Sequence, residues 1–241
     1  MKKTELAEYT NIDQPETVDI VYKAAHDLKG PLRTIKSFAQ LLDNSMSDRF
    51  TQDEKGLVGF IMEATENLEN LIVKMIDFSK AGLPLNISEF KIDNLLQMLV
   101  LKNAKLIEEK NASVIILCDE SLMMRADKNK LNILLENLIS NSLKFVSKSN
   151  PPEIKIKVAE DENNVNFSVL DNGIGIDEHK LTIAFELFER VHTTTDYKGT
   201  RTSLATCKRI VEMQGGSIRI QSELGKYTEV NFTIPKRTEL Y

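Results

Sequence analysis

His26 stands beside Asp27 in the run Ala25-His26-Asp27-Leu28-Lys29-Gly30-Pro31-Leu32-Arg33. An imidazole next to a carboxylate is a nucleophile with a proton acceptor at hand. A second group lies in the other half of the chain. Asn137, Asn141 and Lys144 fall at i, i+4 and i+7, so on a helix they share one face. Two amides and an ammonium there can hold phosphate oxygens and Mg²⁺, a hard cation that takes oxygen ligands. A solvated polar face would contain the same residue types. The third group is Asp171-Asn172-Gly173-Ile174-Gly175-Ile176. Two glycines spaced by one residue let the backbone approach a flat or anionic ligand closely, although a tight turn needs them equally.

The elements around His26 decide how it is presented. Val21, Ala25, Leu28, Leu32, Ile35, Ala39 and Leu42 recur at alternating steps of 4 and 3. That is the a/d seam of a helix buried against other helices. With Ala25 at a and Leu28 at d, His26 falls at b and Asp27 at c, outside the bundle. A docking partner could reach it there, as it could any surface histidine. Leu57, Ile61, Ala64, Leu68, Leu71, Met75 and Phe78 form a second seam with the same steps. The polar stretch from Asp43 to Asp53 joins the two, and Thr51 with Glu54 fits a capping box opening the second helix. Pro31 lies inside the first helix, removes the bond to the Asp27 carbonyl and predicts a kink beside His26. One hairpin cannot surround its own seam, so the pattern predicts a homodimer that closes a four-helix bundle.

Composition narrows the function classes. The chain has 241 residues, 41% of them hydrophobic, which is enough for two modest domains. It has 31 basic and 36 acidic residues, a net charge of −5, and no basic stripe, which argues against nucleic-acid binding. Cys118 and Cys207 lack metal-like spacing and read as reduced, buried thiols of a cytoplasmic protein. No apolar run approaches the ~20 residues that cross a bilayer, and Met1 to Tyr9 has no signal-peptide core.

Gly82-Leu83-Pro84 ends the second helix and predicts a domain boundary, with residues 1–82 on one side and 83–241 on the other. Beyond it the pattern predicts a helix over Ile92 to Lys110, a strand over Ser113 to Cys118 and a short one over Leu122 to Arg125. Asp127 is the expected N-cap of a helix running to Ser147. Four further strands are expected over Glu153 to Glu160, Val165 to Leu170, Ser217 to Ser222 and Thr228 to Pro235. Strands on one sheet with helices on one face make an α/β sandwich. The fold class is therefore α+β: a helical hairpin forming a dimeric four-helix bundle, then an α/β sandwich.

In this order the pieces resemble the core of a sensor histidine kinase of a two-component system, over about Glu16 to Pro235. His26-Asp27 with Pro31 and Leu32 resembles the H box of the dimerisation and phosphotransfer domain. Glu136 to Lys144 resembles the N box, Asp171 to Ile176 the G1 box, and Phe185-Glu186-Leu187-Phe188-Glu189-Arg190 the F box. Gly199-Thr200 to Ala205 sits where the G2 box belongs. The surroundings of His26 and the run Arg190-Val191-His192 most resemble kinases attached to phytochrome-like and PAS-type sensors.

The resemblance implies an ATP-binding domain of the Bergerat or GHKL type and an autokinase using ATP and Mg²⁺. His26 would be the phosphoacceptor and Asp27 the general base. Asn141 would ligate Mg²⁺, with Asn137 and Lys144 near the phosphates. Asp171 would bond the adenine amino group, and Gly173 and Gly175 would let the base lie against the backbone. Glu186 to Thr200 would be the ATP lid, and Gly199, Thr200, Arg201 and Leu204 would complete the ATP site. His179 and His192 would be surface residues. The implied partners are a second copy of the chain, a response-regulator receiver domain and an upstream sensor. Nucleic acid and membrane contact are not implied. Only 25 residues precede His26, so either the core is excised or the signal comes from a separate protein.

Two departures qualify the roles. The family's G2 pattern is Gly-Thr-Gly-x-Gly-Leu-Ala, and here it is Gly199-Thr200-Arg201-Thr202-Ser203-Leu204-Ala205. The lost glycines predict weakened phosphate binding, while Arg201, Thr202 and Ser203 bring a cation and hydroxyls that can bind phosphate. Four residues after His26, where many such kinases carry Thr or Asn for dephosphorylating the partner, stands Gly30. A pseudokinase or phosphotransfer protein of the same fold is the alternative that the G2 box favours. A chaperone-type or mismatch-repair-type ATPase shares the N and G1 features but needs no heptad hairpin.

Overall fold

The computed structural model describes residues 15–46, 49–146, 150–186 and 203–236. Its contacts divide the chain into two compact units, Met1–Leu83 and Pro84–Tyr241.

The first unit is a hairpin of α1 (Pro15–Met46) and α2 (Gln52–Ala81). The expected capping box opens α2. Thr51 N–H donates to Glu54 Oε2 at 2.8 Å, and Glu54 N–H donates to Thr51 Oγ1 at 3.3 Å. These bonds hold the Glu54 carboxyl below its ordinary value. Gly82 caps the other end at φ −80°, so it stops the helix without the left-handed conformation expected of a terminal glycine. α1 continues as a helix through Pro31.

The seams divide in a way the heptads did not specify. On α1, the a residues Ala25, Leu32 and Ala39 are buried against α2, while the d residues Leu28, Ile35 and Leu42 are exposed. On α2 the buried residues are Val58, Thr65, Ile72, Ile76, Ser79 and Ala81. The predicted seam residues Leu57, Ile61 and Leu68 stay exposed. One hairpin partner covers one stripe only, so half of each apolar surface is left over.

The second unit holds a five-stranded sheet of order β2-β4-β5-β7-β6, with β2 (Ser113–Leu117), β4 (Glu153–Glu160), β5 (Asn164–Asp171), β6 (Ile218–Glu223) and β7 (Tyr227–Pro235). β2 pairs parallel with β4, and the other pairs are antiparallel. The expectation of a single sheet needs correction. β3 (Met123–Asp127) pairs instead with β1 (Ile87–Lys91), a strand the alternation did not reveal, in a separate two-stranded ribbon. The helix expected over Ile92 to Lys110 is two helices, α3 (Ile92–Lys102) and α4 (Ala104–Glu109). They part at Asn103, whose side chain donates to the Leu99 carbonyl at 2.8 Å and competes with the helical ladder.

Helix α5 (Lys128–Lys144) carries the core. Its Leu131, Leu134, Leu135, Leu138, Ile139 and Leu143 are fully buried or nearly so. They face the alternate residues of β4, β5 and β7, among which Phe167 stacks on Phe232 at 4.5 Å. α6 (Glu178–Leu181) and α7 (Ser203–Met213) complete the unit. Cys207 on α7 is buried, whereas Cys118 is only half-buried, a correction to the expectation for both thiols. Burial pushes the Cys118 thiol up to about 11, with Asp93 and Asp119 adding to the shift. Among the described residues no helix is long and apolar enough to cross a membrane.

The expected N-cap Asp127 does more than start α5. Its Oδ1 accepts Lys130 N–H at 3.0 Å, and its Oδ2 accepts Asn86 N–H at 2.9 Å. Its own N–H donates to Gln214 Oε1 at 2.9 Å. One buried carboxylate thereby ties the entry strand to the helix that carries the site. Asp127→Ala would orphan two N–H groups, at about 1–3 kcal/mol for each that is buried. Asp127→Ala should lower the stability of the second unit by about 2 kcal/mol or more, and Asp127→Asn, which keeps the cap, by clearly less. Urea unfolding of the two variants checks this.

Candidate functional site

Two constellations emerge, one in each unit. In the hairpin, His26 Nδ1 lies 3.3 Å from Asp27 Oδ1, with side chains 75% and 69% exposed. A carboxylate can only accept, so this contact is a hydrogen bond when the imidazole carries a proton on Nδ1. The Nε2 lone pair is then the free one. Gly30 sits on the same helix with open space where a Cβ would be.

In the second unit, the C-terminal end of α5 and the turn after β5 close around Asp171. Ser142 Oγ donates to Asp171 Oδ2 at 2.8 Å, and Gly173 N–H donates to Asp171 Oδ1 at 3.0 Å. Burial pushes this carboxyl above the ordinary aspartate value, and the Ser142, Gly173 and Thr228 hydrogen bonds pull against it. A carboxylate kept in an apolar setting by only a few donors keeps capacity to accept from a ligand.

The glycines serve the tight turn, the second of the two readings their spacing allowed. Ile174 N–H donates to the Phe145 carbonyl at 2.9 Å. A Cβ on Gly173 would strike that same carbonyl oxygen. Gly175, at φ +64°, lies against the Glu223 carbonyl, and Gly225 N–H donates to the Ile174 carbonyl at 2.7 Å. The missing side chains therefore let protein backbone close on protein backbone, and they fix the turn that bears Asp171.

The N-box residues do not form a solvated face. Asn137 is buried, and Asn141 and Lys144 are half-buried. Lys144 Nζ lies 6.0 Å from the centre of the Phe145 ring. Asn141 faces α7, where its Nδ2 lies 3.2 Å from Ser203 Oγ. An amide oxygen, an ammonium and a buried carboxylate gathered at one helix end fit a nucleotide with a hard divalent cation. Leu204 is half-buried on α7. Gly199, Thr200, Arg201, His192 and the expected lid lie outside the described residues, apart from Glu186. His179 is exposed.

Sequence reasoning missed Ser142 as a partner of Asp171. Its only signal was a hydroxyl inside an otherwise apolar face, directly after Asn141.

Comparison with known proteins covers both units. Residues 18–84 match the family model of the His Kinase A (phospho-acceptor) domain. Residues 126–238 match that of the histidine kinase-, DNA gyrase B- and HSP90-like ATPase. Cyanobacterial phytochrome A of Nostoc sp. is 32% identical over 223 residues, covering 91% of this chain and 28% of that protein. The chain thus spans under a third of this relative's length. Full-length ShkA in complex with AMPPNP has the same fold, with a TM-score of 0.67 and 23% identity over 92% of this chain and 47% of that one. Histidine kinase ThkA in complex with the response regulator protein TrrA has a TM-score of 0.65 and 21% identity, over 100% of this chain and 70% of that one.

Gly173→Ala should cost about 1–3 kcal/mol, because neither the Phe145 carbonyl nor the Asp171 carboxylate can retreat without losing its bond. Gly30→Ala has no such clash and should leave the fold at least as stable, as alanine favours the helix by about 1 kcal/mol. Thermal unfolding of the two variants tests the contrast.

Proposed function

The chain belongs to the sensor histidine kinase family, and on that premise we propose that it is a kinase core that phosphorylates its own His26 from ATP and passes the phosphoryl group to an aspartate of a response-regulator receiver domain. The observation that carries the proposal is the exposed His26–Asp27 pair, with Nδ1 turned to the carboxylate. Nε2 attacks the γ-phosphorus, the P–O bond to ADP breaks, and the Nδ1 proton of the resulting imidazolium moves toward Asp27. Asp171 receives the adenine amino group, with Ser142 and Gly173 holding its carboxylate in place. Asn141 is the protein ligand for Mg²⁺, which offsets phosphate charge when bound. Asn137 and Lys144 lie toward the phosphates, and Gly199, Thr200, Arg201 and Leu204 complete the site. Gly173 and Gly175 shape the turn.

In this reading residues 1–82 dimerise and carry the phosphohistidine, and residues 83–241 bind ATP. The core works in the cytoplasm, downstream of a sensor of the phytochrome or PAS kind. The response-regulator complex of the ThkA relative supports the receiver as partner. Gly30 lacks a side chain to position water, which argues against phosphatase activity of the usual kind. The pseudokinase alternative, based on the altered G2 box, predicts no ATP binding, so a nucleotide titration with Mg²⁺ separates the two.

His26→Gln should abolish an acid-labile, alkali-stable phosphate label. Asp27→Asn should slow labelling about 10²-fold or more with nucleotide affinity unchanged, because Asp27 acts on the proton. Label persisting in His26→Gln would sink the assignment.

The exposed stripe supports the homodimer. Leu28, Ile35 and Leu42 on α1 with Leu57, Ile61 and Leu68 on α2 are each 43–61% exposed in one hairpin. A second hairpin laid on them completes the bundle. Leu68→Glu should therefore shift sedimentation from dimer to monomer at roughly tens of micromolar, by placing an unpaired charge in the interface.

A further inference from the structure

Along the chain, Ser203 is merely one of two lost glycines. In the fold it is the first residue of α7, almost fully buried, with its hydroxyl against the side chain of Asn141. The two ends of that amide are nearly equidistant from it. Asn141 Nδ2 lies 3.2 Å from Ser203 Oγ, and Asn141 Oδ1 lies 3.4 Å from it. The spacing is set by the packing of α5 on α7. One turn further along α7, Cys207 Sγ reaches the Leu134 carbonyl of α5 at 3.7 Å. Cys207, Leu134 and Leu138 are all buried. Neither partner can drift without opening that core.

We propose that Ser203 is a positioning residue that holds the Asn141 amide with its oxygen available to a divalent cation. The inference rests on the kinase reading, which makes Asn141 the cation ligand. A hydroxyl can accept from Nδ2 or donate to Oδ1, and a carbonyl oxygen has two lone pairs. In the shorter contact Nδ2 donates to Ser203; where the hydroxyl instead donates to Oδ1, that oxygen still keeps its second lone pair. A cation at Oδ1 withdraws electron density from the amide and makes Nδ2–H a stronger donor. Cation binding and the α5–α7 bond therefore reinforce each other. A glycine at this position offers no such partner. The hydroxyl that departs from the family pattern compensates, at the metal end of the site, for part of what the lost glycines did at the phosphate end.

The coupling is measurable as the ratio of ADP affinities with and without Mg²⁺, by calorimetry on the full chain. Ser203→Ala and Ser203→Gly should each reduce that ratio by roughly three- to tenfold, the worth of one hydrogen bond, whatever they do to the Mg²⁺-free affinity itself. Ser203→Thr keeps a hydroxyl and should keep most of the ratio. In an Asn141→Ala background, Ser203→Ala should change nothing further. The protein without nucleotide gives a second readout. The Asn141 side-chain amide signals, identified by their loss in Asn141→Ala, should shift in the nitrogen-correlated NMR spectrum of Ser203→Ala. A Mg²⁺ ratio that stays the same or rises in Ser203→Ala overturns the inference while the kinase reading stands. So does an effect that persists without Asn141, or an unmoved amide signal. If the parent chain binds no ADP, the kinase reading falls and takes this inference with it.

Discussion

The Phe145 carbonyl oxygen, just past the end of α5, accepts the Ile174 N–H at 2.9 Å, and the geometry around Asp171 hangs on that contact. It draws the turn after β5 onto the end of the helix that carries Asn137, Asn141, Ser142 and Lys144. The approach is so close that no side chain fits at Gly173. Asp171 leads into this turn, and Ser142 lies about one helical turn before its anchor. Their 2.8 Å bond is therefore a consequence of the backbone contact. The β6–β7 hairpin closes the other side, where Gly225 N–H reaches the Ile174 carbonyl at 2.7 Å. The turn is held from two directions, so its carboxylate needs no reorganisation to meet a ligand.

That rigidity comes with an electrostatic cost at the same place. Asp171 is buried enough for its carboxyl to be pushed above the ordinary range, despite three hydrogen bonds that oppose the shift. A buried carboxylate of this kind weakens the fold slightly and strengthens any donor brought to it. The other end of α5 balances this. There Asp127 meets two backbone N–H groups and secures the helix. One helix is thus fixed at its N-terminus by the Asp127 carboxylate and meets, near its C-terminus, the Asp171 carboxylate of β5 through Ser142.

The hairpin solves a different problem. His26 stays in water on a helix that is buried on one side, against α2, and open on the other. Alternate seam residues share the two sides between them. Ala25, Leu32 and Ala39 turn to α2, and Leu28, Ile35 and Leu42 stay exposed. His26 and Asp27 fall between these stripes and the outer face, which leaves both side chains mostly exposed.

Local rules settled much of this from the sequence. The heptads gave both helices, Thr51 and Glu54 gave the capping box, and Asp127 gave the start of α5, because each depends on residues a few positions apart. Period-two alternation placed β4, β5 and β7 to within a residue or so for the same reason. It could not separate β3 from the main sheet or reveal β1, because strand partnership is a long-range choice. Heptad spacing also could not say which seam residues face the partner helix, since both stripes are equally apolar. Residue types singled out His26, Asn141 and Asp171 as candidates for chemistry. Only the fold brought Ser142 to Asp171 and Ser203 to Asn141, across 29 and 62 residues of chain. Those pairings are fixed by the packing of α5 on its neighbours, and packing is a property of three dimensions that no spacing along one chain encodes.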